Sequence, residues 1–168
     1  MAAGETGVSH TQQLYCKAQS LNIQFRKYTD KDYSEVVTMI FELYQEDPDG
    51  ESITEDKINR TIIELAEKPD KGGLFLFLSD GQIAGYSILI NYWSNEHGGN
   101  VGVIDEIYVQ PQFRHKGMAS AFLNFILLEL TAIKMLQLEV TTTNKRALKY
   151  YKKQGFSISE NCFMIKKL

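Results

Sequence analysis

The run Tyr108-Val109-Gln110-Pro111-Gln112-Phe113-Arg114-His115-Lys116-Gly117-Met118-Ala119 narrows the possible folds of this chain more than any other segment. A β-rich stretch breaks at Pro111, passes through a basic turn containing Gly117, and enters an apolar run from Met118 onward. That order brings the start of a helix to the end of a strand. The first turn of a helix leaves backbone N–H groups without intrahelical partners, and the macrodipole adds partial positive charge at the same end. Such an end accepts a phosphate, and Gly117 permits its close approach to the main chain.

A second array lies downstream. Leu136 to Val140 reads as a strand and is followed by Asn144-x-x-Ala147-x-x-x-Tyr151-x-x-x-Gly155-Phe156. The upstream pattern Arg114-x-x-Gly117-x-Ala119 looks like the R/Q-x-x-G-x-G/A loop that holds the pyrophosphate of acetyl-CoA. With the two motifs in this order and at this distance, the chain resembles the GNAT N-acetyltransferase superfamily over roughly residues 22 to 168. The resemblance implies acetyl-CoA as cosubstrate and no metal. It implies that Arg114, His115, Lys116, Gly117, Met118 and Ala119 surround the pyrophosphate. Ile107, Tyr108 and Val109 would pair with the pantetheine amides, the Val109 N–H polarising the thioester carbonyl. Asn144 and Ala147 would contact the pantetheine arm, and Tyr151 would protonate the departing thiolate. His115 stands where many members carry glycine, which implies a stiffer loop.

The remaining pattern supplies elements in a matching order. Ile23 and Phe25 alternate with polar residues as in a strand. Thr29 or Asp30 caps a helix in which Val36, Val37, Ile40, Leu43 and Tyr44 share a face, ending near Asp47-Pro48-Asp49-Gly50. Ser52 with Glu55 has the form of a capping box, and Ile58, Ile62 and Leu65 carry a second helix to Pro69. Leu74–Leu78 and Ile83–Tyr92 flank Ser79-Asp80-Gly81-Gln82, a hairpin signal with Asp-Gly at its centre. A loop from Trp93 to Asn100 then leads to a strand at Val101–Val109, a helix from Gly117 to about Ile133, a strand from Leu136 and a helix from Asn144. Two short strands near Phe156 and Phe163 close the list. The expected fold is α/β (α+β) of the GNAT type, a mixed central sheet of about seven strands in the order β1-α1-α2-β2-β3-β4-α3-β5-α4-β6-β7.

A chain of 168 residues fits one domain with a substantial core, expected at residues 21–168 behind a flexible segment at 1–20. That segment lacks a charged start followed by an apolar run, so it reads as neither signal peptide nor anchor. Phe122 to Leu130 is apolar but too short for a membrane span, and it contains Asn124 and Glu129. A net charge of −3 argues against a nucleic-acid partner. Cys16 and Cys162 form neither a disulfide framework nor a metal spacing, which favours a reducing, cytoplasmic setting.

Acyl transfer from a thioester to an amine needs a neutral amine, a donor for the oxyanion and a proton for the leaving thiolate. Asp105 and Glu106 are the candidate bases. Neighbours on a strand point to opposite faces, so normally one of them looks into the cleft. Resemblance to acetyltransferases acting on diamines, which carry a Glu-Asp pair here with the first member as base, favours Asp105. A bulge in the strand would favour Glu106. Tyr151 matches the family's tyrosine and Tyr150 does not; a tyrosine of ordinary pKa near 10 is protonated at neutral pH. His97 in the Gly-rich loop could serve as a base or contact the acceptor.

The segments that line the acceptor side in the resembling fold carry Glu42, Glu46, Asp47, Asp49, Glu51 and Glu96, with Tyr44, Tyr92 and Trp93 as candidate walls. An acidic rim attracts a cationic amine, whether a small molecule or a lysine side chain of a peptide. The alternatives are a non-catalytic acyl-CoA-binding sensor and a protein N-terminal or lysine acetyltransferase. A nucleotide-binding protein is disfavoured, because neither G-x-x-x-x-G-K-[ST] nor a strand-first G-x-G-x-x-G is present. The oligomeric state stays open, a homodimer included.

Overall fold

The computed structural model describes residues 22–46, 52–162 and 164–166. The elements are β1 (Ile23–Lys27), α1 (Tyr33–Glu46), α2 (Glu55–Glu67), β2 (Gly72–Ser79), β3 (Gln82–Ser94), β4 (Gly99–Val109), α3 (Met118–Glu129), β5 (Ile133–Leu138) and α4 (Lys145–Lys153). The strands form one sheet in chain order, antiparallel throughout except for the parallel pairing of β4 with β5.

Both faces of this sheet are covered, and β2 shows how. Its side chains alternate faces. Leu74 and Leu76 join Val36, Met39 and Ile40 of α1 and Ile58 of α2 in one core cluster, whereas Phe75 and Phe77 join Phe122, Leu123 and Ile126 of α3 in the other. A strand buried on both sides reads as a continuous apolar run, as Leu74–Leu78 does. The β2–β3 turn has Asp80 at φ 50° and Gly81 at φ 82°, the two left-handed residues that the Asp-Gly hairpin signal calls for. The apolar stretch at Phe122 lies in α3, which buries one stripe on the sheet and leaves Leu127 and Leu128 exposed. No helix of the described residues is long and apolar enough to cross a membrane.

The sheet has five strands among the described residues, not about seven, and the order ends at α4. The alternation around Phe156 describes the faces of a strand but supplies no partner edge. Phe156 is half-buried beside Tyr151, while Ile158, Met164 and Ile165 are exposed, so no continuous face is covered and no ladder forms. Residue 163 lies outside the described residues. Two boundaries also differ. Thr54 caps α2 by accepting the Lys57 N–H, in place of Ser52, and Ile133 belongs to β5. The turn at 47–51 and the leading segment at 1–20 fall outside the described residues.

Where β1 leads into α1, Asp32 is 5% exposed. It accepts both Arg26 guanidinium nitrogens at 2.7 Å, the Thr29 N–H at 2.9 Å and the Thr29 hydroxyl at 2.8 Å. The Arg26 bonds, opposed by burial and assisted by Thr29, hold the Asp32 carboxyl well below the usual carboxylate range. A depressed folded-state pKa contributes stability that is complete above the unfolded value of about 3.9 and is lost as pH falls through the folded value. Asp32→Asn should therefore cost about 1–3 kcal/mol at pH 7. Urea unfolding of both proteins should show the gap narrowing below about pH 4, and a gap independent of pH would contradict the assignment.

Candidate active site

The β4–β5 ladder runs from Asn100↔Ile133 to Ile104↔Leu138 and stops there. Beyond the bulge at Asp105, β4 continues through Glu106–Val109 paired with β3 alone, which leaves its other edge open. The Gln110 N–H donates to the Ala84 carbonyl at 2.9 Å across the β3 side. Strand alternation then turns the N–H and C=O of Val109 the other way, where the C=O accepts Arg114 Nε and the N–H is left to the opening.

This open edge points at the start of α3. Gly117 is the N-cap at φ 81°, with no side chain capping the helix, and the first intrahelical bond runs from the Ala121 N–H to the Gly117 carbonyl at 2.9 Å. The N–H groups of the first turn are thus left to a ligand. His115 sits at φ 63°, a left-handed conformation that glycine adopts freely and histidine does not. This is the physical content of the glycine usual there.

One cleft of about 430 Å³ joins these parts. Ile107, Tyr108 and Val109 line it from β4; Arg114, His115, Gly117, Met118 and Ala119 from the turn and helix start; and Asn144, Ala147 and Tyr151 from α4. Lys116 does not line it; its ammonium lies 5.3 Å from the centre of the Phe113 ring. Asp105 and Glu106 also lie outside its wall.

Several of these side chains already have structural work. Arg114 donates from Nε to the Val109 carbonyl at 2.7 Å and from Nη2 to Glu46 at 2.6 Å, with its guanidinium 5.3 Å from the Tyr108 ring centre. Arg114 thereby ties the end of β4 to the end of α1. The Asn144 carbonyl oxygen caps α4 by accepting the Ala147 N–H at 3.0 Å, which leaves its amide N–H groups as donors. Tyr151 packs edge-on against Tyr150 and Phe156, and its hydroxyl has no hydrogen-bond partner among the described residues. Burial first and Tyr150 second push Tyr151 up to about 12.

The carboxylates of β4 are arranged by a bulge. Ile88 pairs with Glu106 and Leu89 with Ile104, so Asp105 is the extra residue. Glu106 consequently faces α1 and α2, beside Ile40, Ile58 and Ile88. It accepts the Tyr44 hydroxyl at 3.0 Å and the Tyr86 hydroxyl at 2.9 Å. Burial, opposed by those two bonds, raises its carboxyl. Asp105 keeps an exposed edge, but crowding by protein and the charge of Glu139 raise it too.

Glu42 accepts the Tyr108 hydroxyl at 3.0 Å. Asp47, Asp49 and Glu51 fall outside the described residues. By the rise of a strand, Tyr92 lies about 13 Å and Trp93 about 17 Å along β3 from the residue paired with Glu106, and Glu96 and His97 lie beyond them in the β3–β4 turn. The exposed His97 donates its main-chain N–H to the Ser94 hydroxyl there, at 3.3 Å. The cleft adds Leu43, Phe113, Ser120, Arg146 and Tyr150, none of them foreseen as site residues, together with Glu46 in a new role. Ser120 and Tyr150 hydrogen-bond at 3.0 Å across 30 positions of sequence, and Glu46 meets Arg114 across 68; no local pattern announces either pair. Among the described residues no group of three or more His, Cys, Asp or Glu is placed to hold a metal ion.

An open strand edge and an uncapped helix start thus line one cleft. The sequence pattern of the Acetyltransferase (GNAT) family matches residues 37–156, and the chain belongs to that family. It is 28% identical over 138 residues to an uncharacterised N-acetyltransferase of Methanocaldococcus jannaschii, a match taking in 80% of this chain and 61% of the relative. The chain thus spans about three fifths of that relative's length. An integron cassette protein from the mobile metagenome of Cole Harbour Salt Marsh shares the fold with a TM-score of 0.72 at 27% identity, over 86% of this chain and 90% of that one. A possible acetyltransferase from Clostridium difficile 630 gives a TM-score of 0.75 at 19% identity, over 87% and 98%. A predicted acetyltransferase from Clostridium acetobutylicum, solved with acetyl-CoA, gives 0.66 at 20% identity, over 86% and 96%. At those two identities the likeness is one of fold.

Proposed function

We propose that this chain is an N-acetyltransferase that moves an acetyl group from acetyl-CoA to the primary amine of a small cationic acceptor by direct attack. The observation that carries the reading is the open edge of Asp105–Val109 running into the uncapped start of α3 within one cleft. The residues present fit acetyl-CoA: the strand edge offers unpaired amide groups to a β-like arm, and the helix start offers N–H groups to a pyrophosphate. Bound there, acetyl-CoA supplies the thioester. The Val109 N–H points into the opening and polarises the carbonyl. Glu106, on the α1–α2 side and raised by burial, accepts the amine's proton directly or through water. Asp105, exposed at the bulge beside Glu139, is the less suited of the two. Tyr151 donates toward the leaving sulfur.

Release of free CoA, measured across a panel of neutral, acidic and polycationic amines, tests the reading; no release with any amine would favour a non-catalytic binding module. The acceptor class rests on Glu42 and Glu46 beside the cleft and on the carboxylates of β4, with Glu46 partly neutralised by Arg114. Exposed charges are screened beyond about 8 Å at physiological ionic strength. Apparent affinity for a polyamine-like acceptor should therefore fall with added salt more steeply than affinity for an uncharged competitor. Equal acetylation of neutral and acidic amines without salt dependence would reduce the acidic rim to solvated surface.

A further inference from the structure

The Glu106 carboxylate is gripped from two elements. Tyr86 of β3, wholly buried, donates to Oε2 at 2.9 Å, and Tyr44 of α1, half-buried, donates to Oε1 at 3.0 Å. The Ser87 hydroxyl donates to the Glu106 carbonyl at 2.8 Å and fixes the main chain just after the bulge. From α2 the neighbours are Ile58, Ile62 and Thr61, and the Thr61 hydroxyl is turned away to the Lys57 carbonyl at 3.1 Å. Among the described residues, the charged group that acts on Glu106 is Asp105, its neighbour on β4. A carboxylate this short of water requires donors, and two phenols on opposite oxygens are what the fold provides.

We propose that Tyr44 and Tyr86 are positioning residues that hold the Glu106 carboxylate charged and in a single orientation toward the acceptor side, with the two phenols acting as one clamp across α1 and β3. The meaning of the clamp for catalysis rests on Glu106 being the base. Both phenols keep their protons at any working pH: burial, and then the charge of Glu106, push Tyr44 up to about 12 and raise Tyr86 further. They remain donors while the carboxylate titrates. Donation to the charged form lowers the proton affinity of Glu106, whereas burial and Asp105 raise it. Deleting either hydroxyl therefore raises the Glu106 pKa, and the acid limb of activity moves to higher pH.

The test is a carboxyl-¹³C NMR titration of the full chain labelled at glutamate, with the Glu106 signal assigned from Glu106→Gln. Tyr44→Phe and Tyr86→Phe should each move the Glu106 titration up by about one pH unit, because one hydrogen bond to a charged group is lost. Tyr44→Phe, on the half-buried helix side, guards against loss of fold in the fully buried Tyr86→Phe. An unchanged Glu106 titration in either well-folded variant overturns the proposal. The acid limb of kcat/KM, followed by CoA release with an accepted amine, should move in step with the NMR titration. A carboxyl that moves while the limb stays still supports the clamp and removes Glu106 as the base, so the two readings fail separately.

Discussion

Tyr151→Phe should lower turnover by about a hundredfold or more while leaving CoA affinity nearly unchanged. The ring packing against Tyr150 and Phe156 survives the substitution, and only a hydroxyl without a partner among the described residues is removed. Burial keeps the proton on Tyr151 up to about 12. A thiol of ordinary pKa titrates near 8.5, so complete proton transfer from this phenol to a departing thiolate is uphill by about three units or more. The hydroxyl is then a charge-assisted hydrogen-bond donor to the developing sulfur anion and keeps its proton throughout. It follows that Tyr151 contributes no limb to the pH profile in the neutral range. Equal turnover in the variant, with the chemical step shown to be rate-limiting, would make Tyr151 a packing residue.

Gly117→Glu should reduce CoA affinity in calorimetry by about a hundredfold or more, comparable to losing one or two charge-assisted contacts to the pyrophosphate. Two effects must be separated. Any side chain at φ 81° is strained, by about 1–2 kcal/mol. Apart from its neighbours in the chain, no atom of the described residues lies within 4 Å of the position its Cβ would take, so steric room is not the obstacle. Gly117→Ala pays the strain and leaves the helix start open, whereas Gly117→Glu adds a carboxylate to the site of an anion. The alanine variant should lose stability with modest loss of affinity, and the glutamate variant should lose binding as well. CoA affinity unchanged in Gly117→Glu would remove the phosphate site from the helix start.

How far the fold was readable depends on the range of the contacts that make it. The hairpin at Asp80-Gly81 and the helix start at Gly117 are local chemistry, and both stand where the residues place them. The apolar periodicity of α1 and α2 is local as well. The terminal strands were not secured by alternation, because a strand exists only with a partner edge, and Ile158 and Met164 have no cover. At the site, the motif gathered the cleft residues of β4, the turn and α4 but could not show that Arg114 is engaged by Glu46, or that Tyr44 and Tyr86 converge on Glu106. The Glu46 and Tyr44 contacts join α1 to later parts of the chain, where no spacing rule reaches, and the Tyr86 contact depends on the bulge that sets which face Glu106 takes. Glu96 and Trp93 looked like parts of the entrance until the length of β3 and β4 carried them to the opposite end of the sheet.

The extra residue at Asp105 also bears on how such a strand tolerates change in length. From Ile104 to Glu106 the chain passes from the α3 face to the α1 face with one residue between them, so alternation would run without a break if Asp105 were absent. Loss of that residue keeps Glu106, Ile107 and Tyr108 facing as they now do, whereas loss of any regularly paired neighbour turns the remainder of the strand over. β4 therefore carries its own splice point in its middle, the one place where the strand can shorten by a residue without turning its working surface into its core.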